Sequence, residues 1–393
     1  MPLVGDGTTD DTIAFRRALS DASFSGRVLK LGPGTYRITD WWALWGFGCL
    51  EGESRHSTRI LIDVKSPTKY WGHIGARDAA KGQRVAPWFG HIKEVGFIAT
   101  SENKAQHLIQ LHGAANGWSI EDSNFDITAM GHSECNIFSS HIEHVQYPLC
   151  QDGTIKNCFC TARNDVIDTG GCGGLNLVLP RRVKVDGNYL YGFADDPLAI
   201  IDGECCKVMH NFCTSTRGRL ALFGGVACTL FDNNMERIPG TSGNWSNGSD
   251  LIAAYVAGVD SRAPTGHKII DNTAHLPNGP TGYHSLLNCG GVRNSSVKGN
   301  ILNSDCATAS AVYGIRNGTY DFPGWKDPSG VDTDSRSRPR DITFSGNKMT
   351  GKRPGTIEEQ CPGAPSNMPG PFYYTGNTGK HNIISPNSKV SVV

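Results

Sequence analysis

A short pattern recurs through the middle of the chain: an aliphatic residue, two further residues, then Asn. It appears as Val185/Asn188, Val208/Asn211, Leu230/Asn233, Ile269/Asn272 and Val297/Asn300, and with an aromatic opening as Phe344/Asn347. Each copy leads through a loop into a second short apolar run. Self-similarity at this spacing means stacked supersecondary units, none of which buries its apolar face alone. The strands are short, β-branched and punctuated by Gly, Asn and Asp, and no long helical periodicity follows residue 22. Parallel strands normally need helical crossovers; without them, the way left to pair is a solenoid that coils on itself. The expectation is an all-β chain with aliphatic ladders as its core. The repeated Asn is then structural, capping a bend by bonding the backbone of the next coil.

Repeats change what length means. The 393 residues argue for one elongated domain: a cap over 1–40, coils over 41–350 and a Pro/Gly-rich closing segment over 351–393 with Tyr373 and Tyr374 in its last strand. Coils are expected to begin near 118, 135, 153, 182, 206, 228, 267, 295 and 341, with projecting insertions at 239–249 and 316–340. Formal net charge is zero and no Lys/Arg run occurs, which argues against nucleic acid or a membrane surface as partner. No apolar run approaches membrane-spanning length. Met1-Pro2-Leu3-Val4-Gly5-Asp6 has neither a charged n-region nor an apolar h-region, so no signal peptide is expected. The 13 cysteines show no CxxC or Cys/His metal spacing. They read as free, buried thiols, with Cys135, Cys206 and Cys228 opening coils as small apolar stackers.

Residues 5–38 carry a resemblance. Gly5-Asp6-Gly7-Thr8-Thr9-Asp10-Asp11-Thr12 leads into a helix whose apolar positions are Ile13, Phe15, Ala18, Leu19 and Ala22. Val28-Leu29-Lys30-Leu31, a turn at Gly32-Pro33-Gly34, and Thr35-Tyr36-Arg37-Ile38 follow as two short strands. This stretch resembles the N-terminal cap of the pectate-lyase-like superfamily, as found in phage tailspikes and polygalacturonase-like enzymes. The resemblance implies a right-handed parallel β-helix closed at one end by an N-terminal capping α-helix. It is specific for fold and unspecific for reaction.

Aligning the coils on their opening motif stacks one column of residues: Tyr147, Asp165, Asp196, Arg219, Asp250 and His284. Equivalent positions on neighbouring coils lie about 4.8 Å apart. Any single Asp here is most simply a turn cap. Asp165 and Asp196 one coil apart, with Asp195 beside them, form a different object: like charges that close split their pKa values. That split gives one acid to protonate a leaving oxygen and one carboxylate to activate water, the requirement of glycoside hydrolysis.

Asn164-Asp165 followed by Asp195-Asp196 is similar to the catalytic acids of the polygalacturonase family in content and coil order. The chain departs from that family at Arg217-Gly218-Arg219, where a Gly-His-Gly is absent, and in lacking the later Arg-Ile-Lys. The resemblance implies catalytic Asp165, Asp195 and Asp196. Apart from it, the planar fork of Arg219 suits a carboxylate or sulfate on the sugar, and Arg217 is a further substrate-binding candidate. Tyr147, Asp250 and His284 complete the strip, Asp168 falls later in the second run as a lesser candidate, and Tyr283 and Trp245 beside the strip offer sugar-stacking rings. The expected function is endo-hydrolysis of an acidic or bacterial-surface polysaccharide, without cofactor, by a phage tailspike or a secreted enzyme, assembled as a homotrimer. Two alternatives stand. A lyase would eliminate across a uronic acid with Arg219, Tyr147 or His284 as base, and Asp165, Asp196 and Asp250 holding Ca²⁺. A non-catalytic spike would only bind glycans.

Overall fold

The structure, a computed structural model, describes residues 2–76, 86–113, 117–129, 136–140, 150–162, 173–240, 249–255, 265–309, 311–318, 340–352, 356–360, 372–378, 380–383 and 389–391. The chain divides into two compact units, Met1–Pro197 and Leu198–Val393. Each is built from three parallel sheets to which the coils contribute strands in turn.

In the first unit, the first sheet runs through Asp6–Asp10, Gly34–Ile38, Thr58–Ile62, Gly96–Ala99, Asn124–Asp126, Phe159–Thr161 and Tyr189–Phe193. The second sheet runs through Val28–Lys30, Cys49–Glu51, His91–Lys93, Ser119–Glu121, Thr154–Lys156 and Lys184–Asp186. The third comprises Trp42–Leu44, Thr68–Ile74, Ala105–Leu111, Asn136–Ser140 and Gly173–Val178. Val28–Lys30 and Gly34–Ile38 therefore belong to different sheets, so the turn at Gly32-Pro33-Gly34 is a coil corner and no hairpin. The Gly-Asp-rich lead is itself a strand, pairing Asp6 with Thr35 and Asp10 with Arg37.

Helix α1, Thr12–Ser25, buries Phe15, Leu19 and Ala22 and ends on Gly26 in the left-handed conformation. Ile13, expected on the buried face, is 72% exposed; the buried arc starts at Thr12 instead. Asp11 occupies the N-cap position, yet its carboxylate turns back to accept the Val4 and Gly5 backbone N–H groups at 2.8 and 3.1 Å. Asp10 caps in its place, accepting from the Thr12 N–H at 3.0 Å.

The core is a set of stacked ladders. In the first unit Leu50, Ile92, Ile120, Ile155 and Val185 stand in one register on the second sheet, all fully buried. In the second unit the opening residues of the repeat, Val208, Leu230, Ile269, Val297 and Phe344, do the same. On its third sheet Leu198, Leu220, Ile252, Leu287 and Ile315 form a parallel row. Each such side chain contributes about 1.5–3 kcal/mol by leaving water.

The Asn residues form a second, polar ladder. In the second unit each Nδ2 donates to the Oδ1 of the next coil's Asn: Asn211 to Asn233 (2.9 Å), Asn233 to Asn272 (2.9 Å), Asn272 to Asn300 (3.0 Å) and Asn300 to Asn347 (2.8 Å). The same Oδ1 atoms accept the preceding Asn's backbone N–H. The amides also reach backward, as Asn233 Nδ2 to the Val208 carbonyl at 2.9 Å. Asn377 extends the ladder, taking the Asn347 amide at 2.8 Å. In the first unit Val95, Ser123 and Cys158 precede Asn188 at this position: the Val95 N–H donates to Ser123 Oγ and the Cys158 N–H to Asn188 Oδ1.

The described cysteines are free thiols, all buried except Cys49 and Cys205; Cys135, Cys172 and Cys361 lie outside the described residues. Both ends of the insertion expected at 316–340 fall in strands, Ala311–Gly318 and Arg340–Ser345, and residues 319–339 lie outside the described residues. Phe372–Thr375 is not the last strand, as Lys380–Ile383 and Lys389–Ser391 follow. No described helix is long and apolar enough to cross a membrane.

Candidate functional site

Asp195 and Asp196 follow the strand Tyr189–Phe193 in the first unit. Their segment is clamped to the strand Gly173–Val178 by two backbone bonds, Gly174 N–H to the Asp196 carbonyl and Leu175 N–H to the Pro197 carbonyl, each 3.0 Å. The clamp depends on Gly174: a Cβ there would meet the Pro197 carbonyl oxygen at 2.1 Å. Asp196 is 9% exposed and Asp195 half-buried. Asp165 and Asp168, like Tyr147 and Trp245, lie outside the described residues.

In the second unit the structure brings Asp250 and His284 onto neighbouring strands, Ser249–Tyr255 and Tyr283–Asn288, one residue out of the expected step. Asp250 stands opposite Ser285, and His284 opposite Ser249. Arg219 is likewise displaced, because Leu220 pairs with Ile252 and so sets Gly218 level with Asp250. Arg237, fully buried at the end of Asn234–Arg237, holds the Gly218 and Asp250 levels together. Its guanidinium donates from Nη1 to the Gly218 carbonyl (2.8 Å) and from Nη2 to the Asp250 carbonyl (2.7 Å). The Ser215 hydroxyl shapes the same loop, accepting from the N–H groups of Arg217 (3.2 Å) and Gly218 (2.7 Å).

The Asp250 carboxylate accepts from Asn288 Nδ2 at 3.1 Å. Burial, and after it the charge of Asp250, push the Cys289 thiol well above its ordinary range. His284 is fully buried. Arg219 is half-buried and lies over the Phe223 ring, 5.4 Å from its centroid, and Phe223 packs with Ala199, Ala221 and Ala253. Tyr283 opens its strand; its side chain is outside the described set. Among the described residues, no group of three or more His, Cys, Asp or Glu is placed to hold a metal ion.

An open aromatic row, absent from the residues the sequence singles out, stands on the first sheet of the first unit. Phe159 and Tyr189 are register partners on adjacent strands, with ring centroids 5.3 Å apart. Tyr191, two residues on and hence on the same face, stacks on Tyr189 at 6.0 Å. Arg55 covers the Phe159 end, its guanidinium carbon 4.6 Å from the ring centroid, and donates from Nη1 to the Asn157 carbonyl at 2.9 Å. Phe159 and Tyr191 are each 43% exposed. Gly96 makes this possible: a Cβ there would stand 2.5 Å from the Arg55 carbonyl oxygen, so only glycine lets the Arg55 loop lie against the sheet. The available signal was alternation, with Phe159, Tyr189 and Tyr191 all on the outward parity of their strands.

No protein-family model matches the sequence, and no curated protein matches it. Solved structures do. The A-module of the mannuronan C-5 epimerase AlgE6 of Azotobacter vinelandii aligns with a TM-score of 0.65 at 14% identity, covering 100% of this chain and 97% of that one. PfbA, a surface adhesin of Streptococcus pneumoniae, aligns at 0.64 and 13% identity, over 95% of this chain and 89% of that one. The Dettilon tailspike protein aligns at 0.58 and 13%, over 98% and 68%. Likeness at these identities shows the fold, a right-handed parallel β-helix with an N-terminal capping helix.

Proposed function

We propose that this pectate-lyase-like β-helix protein is an endo-acting polysaccharide depolymerase, a glycoside hydrolase with Asp165, Asp195 and Asp196 as its carboxylates. The observation that carries the reading is the clamped acid pair. The backbone of two adjacent aspartates is held against the strand Gly173–Val178 by bonds that depend on Gly174, with Asp196 buried and Asp195 half-buried. Asp196, the covered one, takes the role of general acid. Asp195, with Asp165 of the coil before, takes that of activating water. The aromatic row supports a glycan partner in the same unit, since ring faces and edges suit sugar C–H groups. The Arg55 guanidinium at its end suits an acidic substituent. Arg219, Arg217, Asp250 and Tyr283 of the second unit are proposed to bind substrate rather than to react, as are Tyr147, Asp168 and Trp245; His284, being fully buried, is not among the groups that touch it. The names of two structural relatives, an epimerase of mannuronan and a tailspike, agree with a polysaccharide substrate and an extracellular or virion setting. Side-by-side trimerisation belongs to the same proposal and is tested by sedimentation.

The test is digestion of a polysaccharide panel, followed both by new reducing ends and by ultraviolet absorbance of an unsaturated product. Reducing ends without unsaturation are expected. Unsaturation overturns hydrolysis in favour of elimination, and binding without any cleavage leaves a glycan-binding spike. Asp196→Asn is expected to lower turnover at least about a hundredfold while leaving the thermal midpoint nearly unchanged; full activity would remove Asp196 from the mechanism.

A further inference from the structure

The second sheet of the first unit carries a thiol, an imidazole and a carboxylate in one cluster. The strand Cys49–Glu51 pairs with His91–Lys93, setting Leu50 opposite Ile92 and Glu51 opposite Lys93. By the same register Cys49 is level with His91. Leu50 and Ile92 are fully buried, so Cys49, Glu51 and His91 share the outward face. All three are half-exposed. His91 Nε2 lies 2.8 Å from Glu51 Oε1, and Lys30 Nζ lies 3.5 Å from Glu51 Oε2. The Cys49 Sγ also lies 3.4 Å from the Phe47 carbonyl oxygen, within reach of a hydrogen bond. Cys49 is half-exposed and its neighbour Phe47 is 64% exposed.

The order of roles matches that of an activated thiol: a nucleophile beside a base, and the base oriented by a third group. Burial would raise the Cys49 thiol, and the hydrogen bonding and charge of His91 outweigh it, bringing the thiol below its ordinary range. The imidazole is held up at about 9, first by Cys49, against burial, and further by Glu51. The buried thiols go the other way: burial pushes Cys158 up to about 12, and it drives Cys213 higher still.

We propose that Cys49, with His91 as its charge partner and Glu51 as the group that orients His91, is a thiolate site that reacts with low-molecular-weight disulfides. In the step, the Cys49 thiolate attacks one sulfur of the disulfide and that S–S bond breaks. A mixed disulfide forms on Cys49, and the other half leaves as a thiolate that takes a proton from water. No net oxidation occurs, and the disulfide is the co-reactant.

Cys205 supplies the control, because it is the more exposed of the two thiols. Accessibility alone would make Cys205 react first. The experiment incubates the folded full chain with oxidised glutathione near pH 6.5 and maps the modified cysteines by peptide mass spectrometry over time. Cys49 is expected to form the mixed disulfide about five- to tenfold faster than Cys205, the gain in thiolate fraction being partly offset by lower nucleophilicity. His91→Gln is expected to erase that lead and to move the pH midpoint of Cys49 alkylation upward, since burial then acts on the thiol unopposed. The unreacted buried cysteines report in each sample that the fold persists. Cys49 reacting no faster than Cys205, or an unchanged pH midpoint in His91→Gln, overturns the proposal.

Discussion

The residue before each rung of the polar ladder stands in the left-handed region. Glu94, Asp122, Asn157, Gly187, His210, Asp232, Asp271, Gly299, Gly346 and Gly376 have φ between 50° and 68°. The next residue is in every case the ladder residue, from Val95 to Asn377. A left-handed residue bends the chain sharply, at about 1–2 kcal/mol for a side chain bearing a Cβ. The turn persists because the following Asn satisfies what the bend exposes. Asn272→Ala is therefore expected to cost about 3 kcal/mol or more. It strands the Asn233 backbone N–H and the Leu230 carbonyl, both buried in the ladder. Urea unfolding of the variant against wild type measures it, and a loss below about 1 kcal/mol would mean water replaces the amide. The Asn ladder was legible in the sequence because one residue type recurs at one spacing. Its continuation through Cys158, Ser123 and Val95 was not, because small residues of unlike chemistry fill the same slot. At the second corner His267 plays the Asn role, taking the Cys228 N–H on Nδ1 at 3.1 Å, with Nε2 2.9 Å from the Gly224 carbonyl oxygen. A single histidine gives no repeat to read.

Elements are joined here by register, and register decides which side chains meet. The outward face of the second sheet in the first unit reads Lys30, Glu51, Lys93, Glu121, Lys156 and Asp186 across successive strands. Signs alternate at every step, each pair contributing about 0.2–1 kcal/mol and penalising a slipped alignment. On the third sheet the sequence alignment ran one residue out at Asp250 and at Arg219. At Arg219 a physical reason is visible: the buried Arg237 binds the Gly218 and Asp250 carbonyls, a contact that joins residues from separate coils and leaves no local pattern. The clamp at Gly174 and the aromatic row escaped for the same reason, since each is made by a close approach between coils. Gly96→Ala tests the row at this scale. The added Cβ must push the Arg55 backbone away, at about 1–3 kcal/mol, and draw the guanidinium off Phe159. Retention on an immobilised acidic polysaccharide is expected to fall, and Arg55→Ala to reproduce the fall without the stability loss. Unchanged retention in both would remove the row from glycan binding.

At the scale of the whole molecule, acid is the condition to which this chain is built to respond, and each unit carries its own reason. In the first, His73 is buried and stacked on His112, with Nδ1 2.9 Å from His112 Nε2, and burial depresses it to about 4. In the second, His267 is fully buried at its corner and depressed to about 4 by the same cause. A histidine whose folded pKa lies below its unfolded value of about 6.5 contributes stability that is complete above that value. The contribution is lost as pH falls toward the folded pKa, because the unfolded chain takes up the proton first. At about pH 5 each of the two is expected to have given up about 2 kcal/mol relative to about pH 7.5. His91 acts with the opposite sign: raised to about 9 beside Cys49 and Glu51, it stabilises below its ordinary range and lets go as pH climbs through about 9. The protein should therefore be most stable near neutrality and weaken on both sides. Urea midpoints across this range, with hydrogen exchange read separately over residues 60–112 and 206–297, measure the effect in each unit. His267→Gln should flatten the acid slope in the second range and leave that of the first intact. His73→Gln should do the reverse, and an acid slope indifferent to both would mean that the carboxylates, rather than these two imidazoles, set the lower limit.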